Sequence, residues 1–199
     1  MKALLRVVVE ELVRVGGLLV GGEYRLRSGR VSRVYIDLRR LYASPRGYRA
    51  ASLLLATRIA EASPRAEAVL GVATGGIGWA VLAASLLGLP SGYVRPEAKD
   101  HGTGRLVEGP EPPARVVVVD DVATTGGALA EAVEAAKRGG FEVEAAVVLV
   151  DRCMGAAERL SALGVRFERV ATIRELLDAA ESLGVDTAPA EEELRGLRC

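Results

Sequence analysis

Apolar positions along this chain follow two rhythms. Leu4, Leu5, Val8, Val9, Leu12 and Val13 recur at the spacing of one helix face, with Arg6, Glu10, Glu11 and Arg14 between them. Short, largely apolar runs at 68–72, 116–119 and 143–150 have the composition of strands buried on both faces. Helices are predicted over 45–62, 77–87, from Ala128 past Val133, over 156–163 and from about Thr172 to Leu183. Ser44 is placed to cap the first of these, and Pro45 fits its first turn. Two further strands are predicted at 93–94 and 165–170. Nearer the start, Gly16, Gly17, Gly21 and Gly22 mark turns, and 24–27 and 34–38 read as strands. The tail, 188–199, is charged and expected to be mobile at its end.

From Pro45 onward strands and helices alternate. That pattern predicts an α/β fold: a parallel sheet with helices on both faces. Its 199 residues suggest one domain, 1–199, with an N-terminal helix and strands over about 1–40 and an α/β core over about 45–183. Ligands of such sheets sit at the carboxyl ends of the strands. Thr74-Gly75-Gly76, Arg95, Asp120-Asp121 and Asp151-Arg152 all fall at predicted strand ends, so four candidates converge on one edge.

The richest of them is the segment 116–127. Four valines end in Asp120 and Asp121, and Val122, Ala123, Thr124, Thr125, Gly126 and Gly127 lead into a helix. Such a loop can wrap a phosphate in backbone N–H groups at the positive end of the helix. The acid pair suits hydroxyls or a metal ion, and a phosphorylated ribose would satisfy both the phosphate-wrapping loop and the acids. A plain strand–helix junction is the alternative, but capping needs one such side chain, not a run of them. The segment resembles the phosphoribosyl pyrophosphate (PRPP) motif of type I phosphoribosyltransferases. That resemblance implies the family's fold: a central parallel sheet flanked by helices, with a small N-terminal hood.

Charge narrows the field. Twenty-six basic and 26 acidic residues leave no net charge, and no basic tract is present, which argues against nucleic acid and anionic membrane as partners. Charged residues within the first helix argue against a signal peptide or a membrane span, so a cytoplasmic protein is expected. The two cysteines, Cys153 and Cys199, lie far apart with one histidine in the chain, which supports neither a zinc site nor a disulfide framework. Cys153 reads as a bystander. Only Lys2, Lys99 and Lys137 of the basic residues are lysine, which draws attention to Lys99.

Lys99 lies in the segment 93–104, together with Arg95, His101, Gly102 and Gly104. A loop of this length can close over a substrate and bring cations to a leaving phosphate, or it can be a solvated connection. Arg27-Ser28-Gly29-Arg30 precedes Tyr35-Ile36-Asp37-Leu38-Arg39; the alternative there is a surface hairpin. Arg152 could grip a carboxylate by a bidentate pair, or form a surface ion pair of little worth.

In order and spacing these segments resemble the orotate phosphoribosyltransferases, most distinctively in the Lys-x-His-Gly loop. The resemblance implies transfer of the phosphoribosyl group of PRPP to orotate, with Mg2+ bridging pyrophosphate and ribose oxygens. It implies that Asp120 and Asp121 face the ribose hydroxyls, either of them near the metal, and that Asp121, Lys99 and His101 are catalytic. Ala123, Thr124, Thr125, Gly126, Gly127 and Ala128 would surround the 5′-phosphate. Thr74, Gly75, Gly76, Arg95, Lys99 and His101 would bind the pyrophosphate, and Arg27, Thr124 and Arg152 the orotate. It further implies a homodimer whose Lys99–His101 loop is shared between subunits. Pro96 stands where many members have a second lysine, Arg27 where lysine is common, and Cys153-Met154 where an acidic pair is frequent. A purine-base phosphoribosyltransferase and a non-catalytic PRPP-binding transcriptional regulator are the competing readings. Low aromatic content gives little support to the first, and the lack of a recognition helix or basic face little to the second.

Overall fold

Alternation of side chains along the central strands sorts the whole molecule into layers. In the computed structural model, which describes residues 1–25, 29, 31–96, 105–197 and 199 (the side chains at 191 and 192 excepted), six strands form one sheet in the order β5-β4-β3-β6-β7-β8. They are β3 (Ala68–Val72), β4 (Ser91–Val94), β5 (Val107–Glu108), β6 (Arg115–Ala123), β7 (Glu142–Asp151) and β8 (Arg166–Thr172). All neighbours are parallel except β5, which pairs antiparallel with β4 at the edge. The sheet is therefore mostly parallel. β5 is two residues long and gives no periodicity to read in the sequence.

Val69, Val117, Val119, Ala145, Val147 and Leu149 face one side of the sheet. There they meet α1 (Lys2–Arg14), α2 (Pro45–Ala62), α3 (Ile77–Leu87) and α6 (Ile173–Glu181). Leu70, Val116, Val118, Ala146 and Val148 face the other, against α4 (Gly127–Arg138) and α5 (Ala156–Ala162). A period of two in the strands thus builds two cores from one valine-rich sequence.

The helix ends follow their chemistry. Ser44 Oγ accepts from the Gly47 N–H at 3.1 Å, with Pro45 in the first turn, as expected from the sequence. The Ser44 hydroxyl also donates to Glu11 Oε2 at 2.7 Å, and Arg14 and Arg46 close on the same carboxylate at 2.6 and 3.1 Å. These bonds, that of Ser44 foremost, hold Glu11 below the usual carboxylate range. They tie α1 to the start of α2.

The N-terminal strands depart from expectation. β1 (Leu18–Arg25) begins earlier than 24 and runs through Gly21 and Gly22, and it pairs antiparallel with β2 (Val31–Ile36). Register shifts between Val20 and Tyr24, and Gly21 has φ +91°. The glycines form a bulge inside a strand rather than a turn between elements. A 3-10 helix, Leu38–Ala43, then leads to α2.

The tail also departs. α7 (Ala188–Leu194) packs on β1 and β2, with Ala190 and Leu194 buried in the core and the Leu194 carbonyl accepting from Arg174 at 2.7 Å. A two-stranded hairpin cannot bury enough surface alone, and this helix covers it. Cys199, at the end of the tail, is disulfide-bonded to Cys153, with Cα atoms 5.0 Å apart. That corrects the reading of unpaired cysteines. A separation of 46 residues carries no pairing signal in the sequence.

Candidate active site

The carboxyl ends of β3, β6 and β7 form one edge, and the candidate residues lie along it. Strand β6 is longer than its valine run: Asp120 and Asp121 belong to its last turn of pleat, and Ala123 is still paired to Asp151 of β7. The Asp121 N–H donates to Asp120 Oδ1 at 2.9 Å, and the Val122 N–H donates to Asp121 Oδ1 at 2.7 Å. Each carboxylate is thus fixed by the backbone beside it.

Thr124 and Thr125 follow in a bend. Gly126, at φ +74°, begins α4, and a Cβ there would lie 2.9 Å from the Ala156 backbone. Only glycine allows both the left-handed turn and that approach. The helix N-terminus behind the bend presents unpaired N–H groups. Arg159 Nε donates to the Thr125 carbonyl at 2.9 Å and holds the bend from outside.

The turn after β3 brings Thr74, Gly75 and Gly76 against this acid pair. A Cβ on Gly75 would lie 3.3 Å from either Asp121 oxygen, and one on Gly76 would lie 2.4 Å from the Val119 carbonyl. The turn can therefore nest against β6 only without a side chain at 76, whereas one at 75 would press on the Asp121 carboxylate. Tyr42 donates to the Gly75 carbonyl at 3.2 Å, and its ring packs on Trp79 and Tyr48. Burial pushes the Tyr42 phenol up to about 12, so it remains a donor at any working pH.

Burial also raises the pKa of Asp121, although the Val122 N–H and the Arg39 guanidinium favour its charged form. Arg39 is itself held by Asp37 at 2.7 Å. If Asp121 works ionised, its acid limb in kcat/KM lies above the ordinary aspartate range. Arg39→Met removes a cation that favours the charge, so the limb should move to still higher pH. A pH profile of kcat/KM that superimposes on wild type would detach Arg39 from this role.

Arg152 follows β7 and is 3% exposed. Its backbone N–H donates to the Ala123 carbonyl at 2.9 Å, which sets it beside the phosphate-type loop. Its guanidinium donates to the Val34 carbonyl at 3.2 Å, to Ser32 Oγ at 2.9 Å and to Glu193 Oε1 at 3.4 Å. Asp151 pairs with Arg169, not with Arg152, and its pKa is raised by burial. The surface-ion-pair alternative is therefore excluded for Arg152, which bridges the hood to the sheet edge.

Arg95 lies at the end of β4, where its backbone N–H donates to the Leu106 carbonyl at 2.8 Å and its side chain meets Glu108 at 3.6 Å. Arg27, Lys99 and His101 lie outside the described residues. Sequence reasoning missed Tyr42, Ser32 and Glu193. Tyr42 and Ser32 carry no local signal, and Glu193 sits in a segment expected to be loose. Two open clefts flank this edge, one between 105–112 and the end of α4, the other between α4 and α5 with Thr125 in its lining. The acid pair and Arg152 line neither, because this site is an open sheet edge.

The carboxylate oxygens of Asp120 and Asp121 are of the donor type that suits a hard divalent cation. Among the described residues Asp151, Cys153 and Cys199 also bring ligand atoms within 4.8 Å of one another, but the two sulfurs are bonded together.

The fold and edge define a phosphoribosyltransferase. The phosphoribosyl transferase domain family matches residues 37–166. An orotate phosphoribosyltransferase of Aeropyrum pernix is 47% identical over 171 residues, 86% of this chain and 92% of that one. The crystal structure of orotate phosphoribosyltransferase from Aeropyrum pernix superimposes with a TM-score of 0.77 at 46% identity, covering 89% of this chain and 98% of that one. Another, from Mycobacterium tuberculosis in complex with PRPP, gives a TM-score of 0.67 at 30% identity, over 86% of this chain and 98% of that one. The chain belongs to the phosphoribosyl transferase family, and within it to the orotate phosphoribosyltransferases. Its sheet, flanking helices and hood are the type I fold of that family.

Proposed function

We propose that this enzyme transfers the 5-phosphoribosyl group of PRPP to orotate, yielding orotidine 5′-monophosphate and pyrophosphate, a step of pyrimidine (UMP) synthesis. One observation supports this most: the acid pair, the 124–127 bend and the buried guanidinium of Arg152 share a single edge, with Arg152 hydrogen-bonded to Ala123 of the motif itself. A phosphate, a ribose and an anionic acceptor are the three things that edge can bind.

In this reading the N–H groups of 124–128 hold the 5′-phosphate, and Asp120 and Asp121 face the ribose hydroxyls. Orotate, gripped through its carboxylate by Arg152, attacks C1′. Positive charge develops on the ribose and negative charge on the departing pyrophosphate. The carboxylates tolerate the first; Arg95, Lys99, His101 and the N–H groups of the 74–76 turn meet the second. Excluding water from this edge keeps it from capturing the ribosyl cation. Mg2+ fits the oxygen donors of Asp120 or Asp121 and the oxygens of PRPP, and when bound it neutralises pyrophosphate charge.

A homodimer sharing the Lys99–His101 loop belongs to the same reading. The exposed Tyr42, Val81 and Leu86 supply apolar surface for such a contact. A cytoplasmic location accords with the lack, among the described residues, of a helix long and apolar enough to cross a membrane. The test is direct: purified protein, PRPP, orotate and Mg2+, followed by orotate absorbance. Loss of orotate with equal release of pyrophosphate is expected. PRPP binding without turnover of orotate would reject the acceptor.

A further inference from the structure

One segment of the chain takes two backbone carbonyls of the bend after β6. The Arg152 N–H donates to the Ala123 carbonyl and Arg159 Nε to the Thr125 carbonyl, each at 2.9 Å. Between those two arginines the chain turns from β7 into α5, and α5 is the surface on which the bend rests. A Cβ on Gly126 would lie 2.9 Å from Ala156 Cα and 3.2 Å from Leu160 Cδ2, so the bend approaches the helix as closely as glycine permits. Arg159 precedes Leu160 on that helix and is exposed.

In a trans peptide the carbonyl and the N–H point to opposite sides of the chain. A Thr125 carbonyl held toward α5 therefore aims the Gly126 N–H away from α5. The bond to the Ala123 carbonyl orients the Thr124 N–H in the same manner. The 125–126 peptide lies outside both regular elements, because β6 ends at Ala123 and α4 begins at Gly127. It also adjoins a glycine, where rotation of the peptide plane meets little steric resistance. Rotation would turn a carbonyl oxygen, in place of a donor, toward a bound phosphate. The oxygen repels the anion that the N–H attracts, so the orientation of this one peptide sets the sign of its contribution.

We propose that Arg159 is a positioning residue of the 5′-phosphate loop: it holds the 125–126 peptide with its N–H toward the phosphate of PRPP and does not itself touch the substrate. This deepens the functional reading above and rests on its assignment of 124–128 to that phosphate. The effect belongs to one end of the substrate. The pyrophosphate end is assigned to the 74–76 turn after β3, and β3 lies across β6 from β7 and α5.

Two variants separate the hydrogen bond from the charge. In Arg159→Gln the amide nitrogen stands as many bonds from Cα as Nε does, so the donor stays and the charge goes. In Arg159→Met a methyl group stands there, and both go. Titration calorimetry with Mg2+ and no acceptor reads the binding of PRPP and of pyrophosphate separately, and that of orotidine 5′-monophosphate. Arg159→Met should weaken PRPP and orotidine 5′-monophosphate about tenfold each, the loss expected of one charge-assisted hydrogen bond. Pyrophosphate binding and the melting temperature should stay as in wild type. In turnover the PRPP KM should rise by the same factor at nearly unchanged kcat, as when an interaction common to ground and transition states is lost. Arg159→Gln should return PRPP affinity to within about threefold of wild type. Unchanged PRPP affinity in Arg159→Met, an equal loss for pyrophosphate, or a glutamine variant no better than methionine would each overturn the assignment. A wild-type protein that binds neither PRPP nor orotidine 5′-monophosphate would reject the functional reading, and the assignment with it.

Discussion

Lys99→Ala is expected to lower kcat roughly 100-fold, close to 3 kcal/mol of transition-state stabilisation, while PRPP affinity falls far less. In the mechanism proposed here the pyrophosphate carries its greatest charge as it departs, so a cation that meets it then acts mainly on the transition state. This chain spends arginine almost everywhere, with lysine at only two other positions, Lys2 and Lys137. A compact, flexibly borne ammonium suits a group that must follow a moving anion. Equal losses in kcat and PRPP binding would reduce Lys99 to a ground-state ligand. The same variant tests loop sharing. Mixing Lys99→Ala with Asp121→Asn creates hybrids in which one site carries both lesions and the other neither, if the loop acts across the interface. At full exchange about a quarter of wild-type activity should return in a two-fold dimer. No recovery despite proven exchange would place loop and acids in one subunit.

What the sequence reveals about this molecule depends on how local the cause is. Runs such as Val116 to Val119 are legible because burial on both faces demands apolar residues in succession. Ser44-Pro45 is legible because a cap is chemistry between neighbours. The acid pair and its bend are legible because a tight turn and a close approach, as at Gly126, leave few residue choices. The hood is harder. Gly21 and Gly22 carry the same composition in a turn and in a bulge, and only pairing with Val31–Ile36 distinguishes them. α7 offers Ala190 and Leu194, one turn apart, and no more; its helix exists because β1 and β2 need a cover. The partners of Arg152 come from positions 32, 34 and 193, and no short-range rule assembles them. Position along the chain pointed to Arg152 at a strand end, whereas its burial and its bond to Glu193 are tertiary facts.

Those bonds make Arg152→Ala the variant that best separates architecture from chemistry. Orotate KM should rise about 100-fold, the loss of a paired, charge-assisted grip worth roughly 2.7 kcal/mol, while PRPP binding is spared. Stability should fall too, because the guanidinium ties Val34 and Ser32 of the hood to the end of β7 and offsets the charge of Glu193. Breaking a buried pair from one side can cost 3–5 kcal/mol, and the partial exposure of Glu193 places the expected loss below about 3 kcal/mol. The two effects part in the double variant Arg152→Ala/Glu193→Gln. Removing the stranded carboxylate should restore part of the melting temperature and leave orotate KM as high as in Arg152→Ala alone. Arg152→Lys should behave like alanine toward orotate, since a point charge cannot reach the Val34 carbonyl and a bound carboxylate together. If the double variant recovers orotate KM along with stability, the guanidinium serves the hood and something else holds the acceptor. If KM stays high while the fold recovers, the carboxylate of orotate belongs to Arg152.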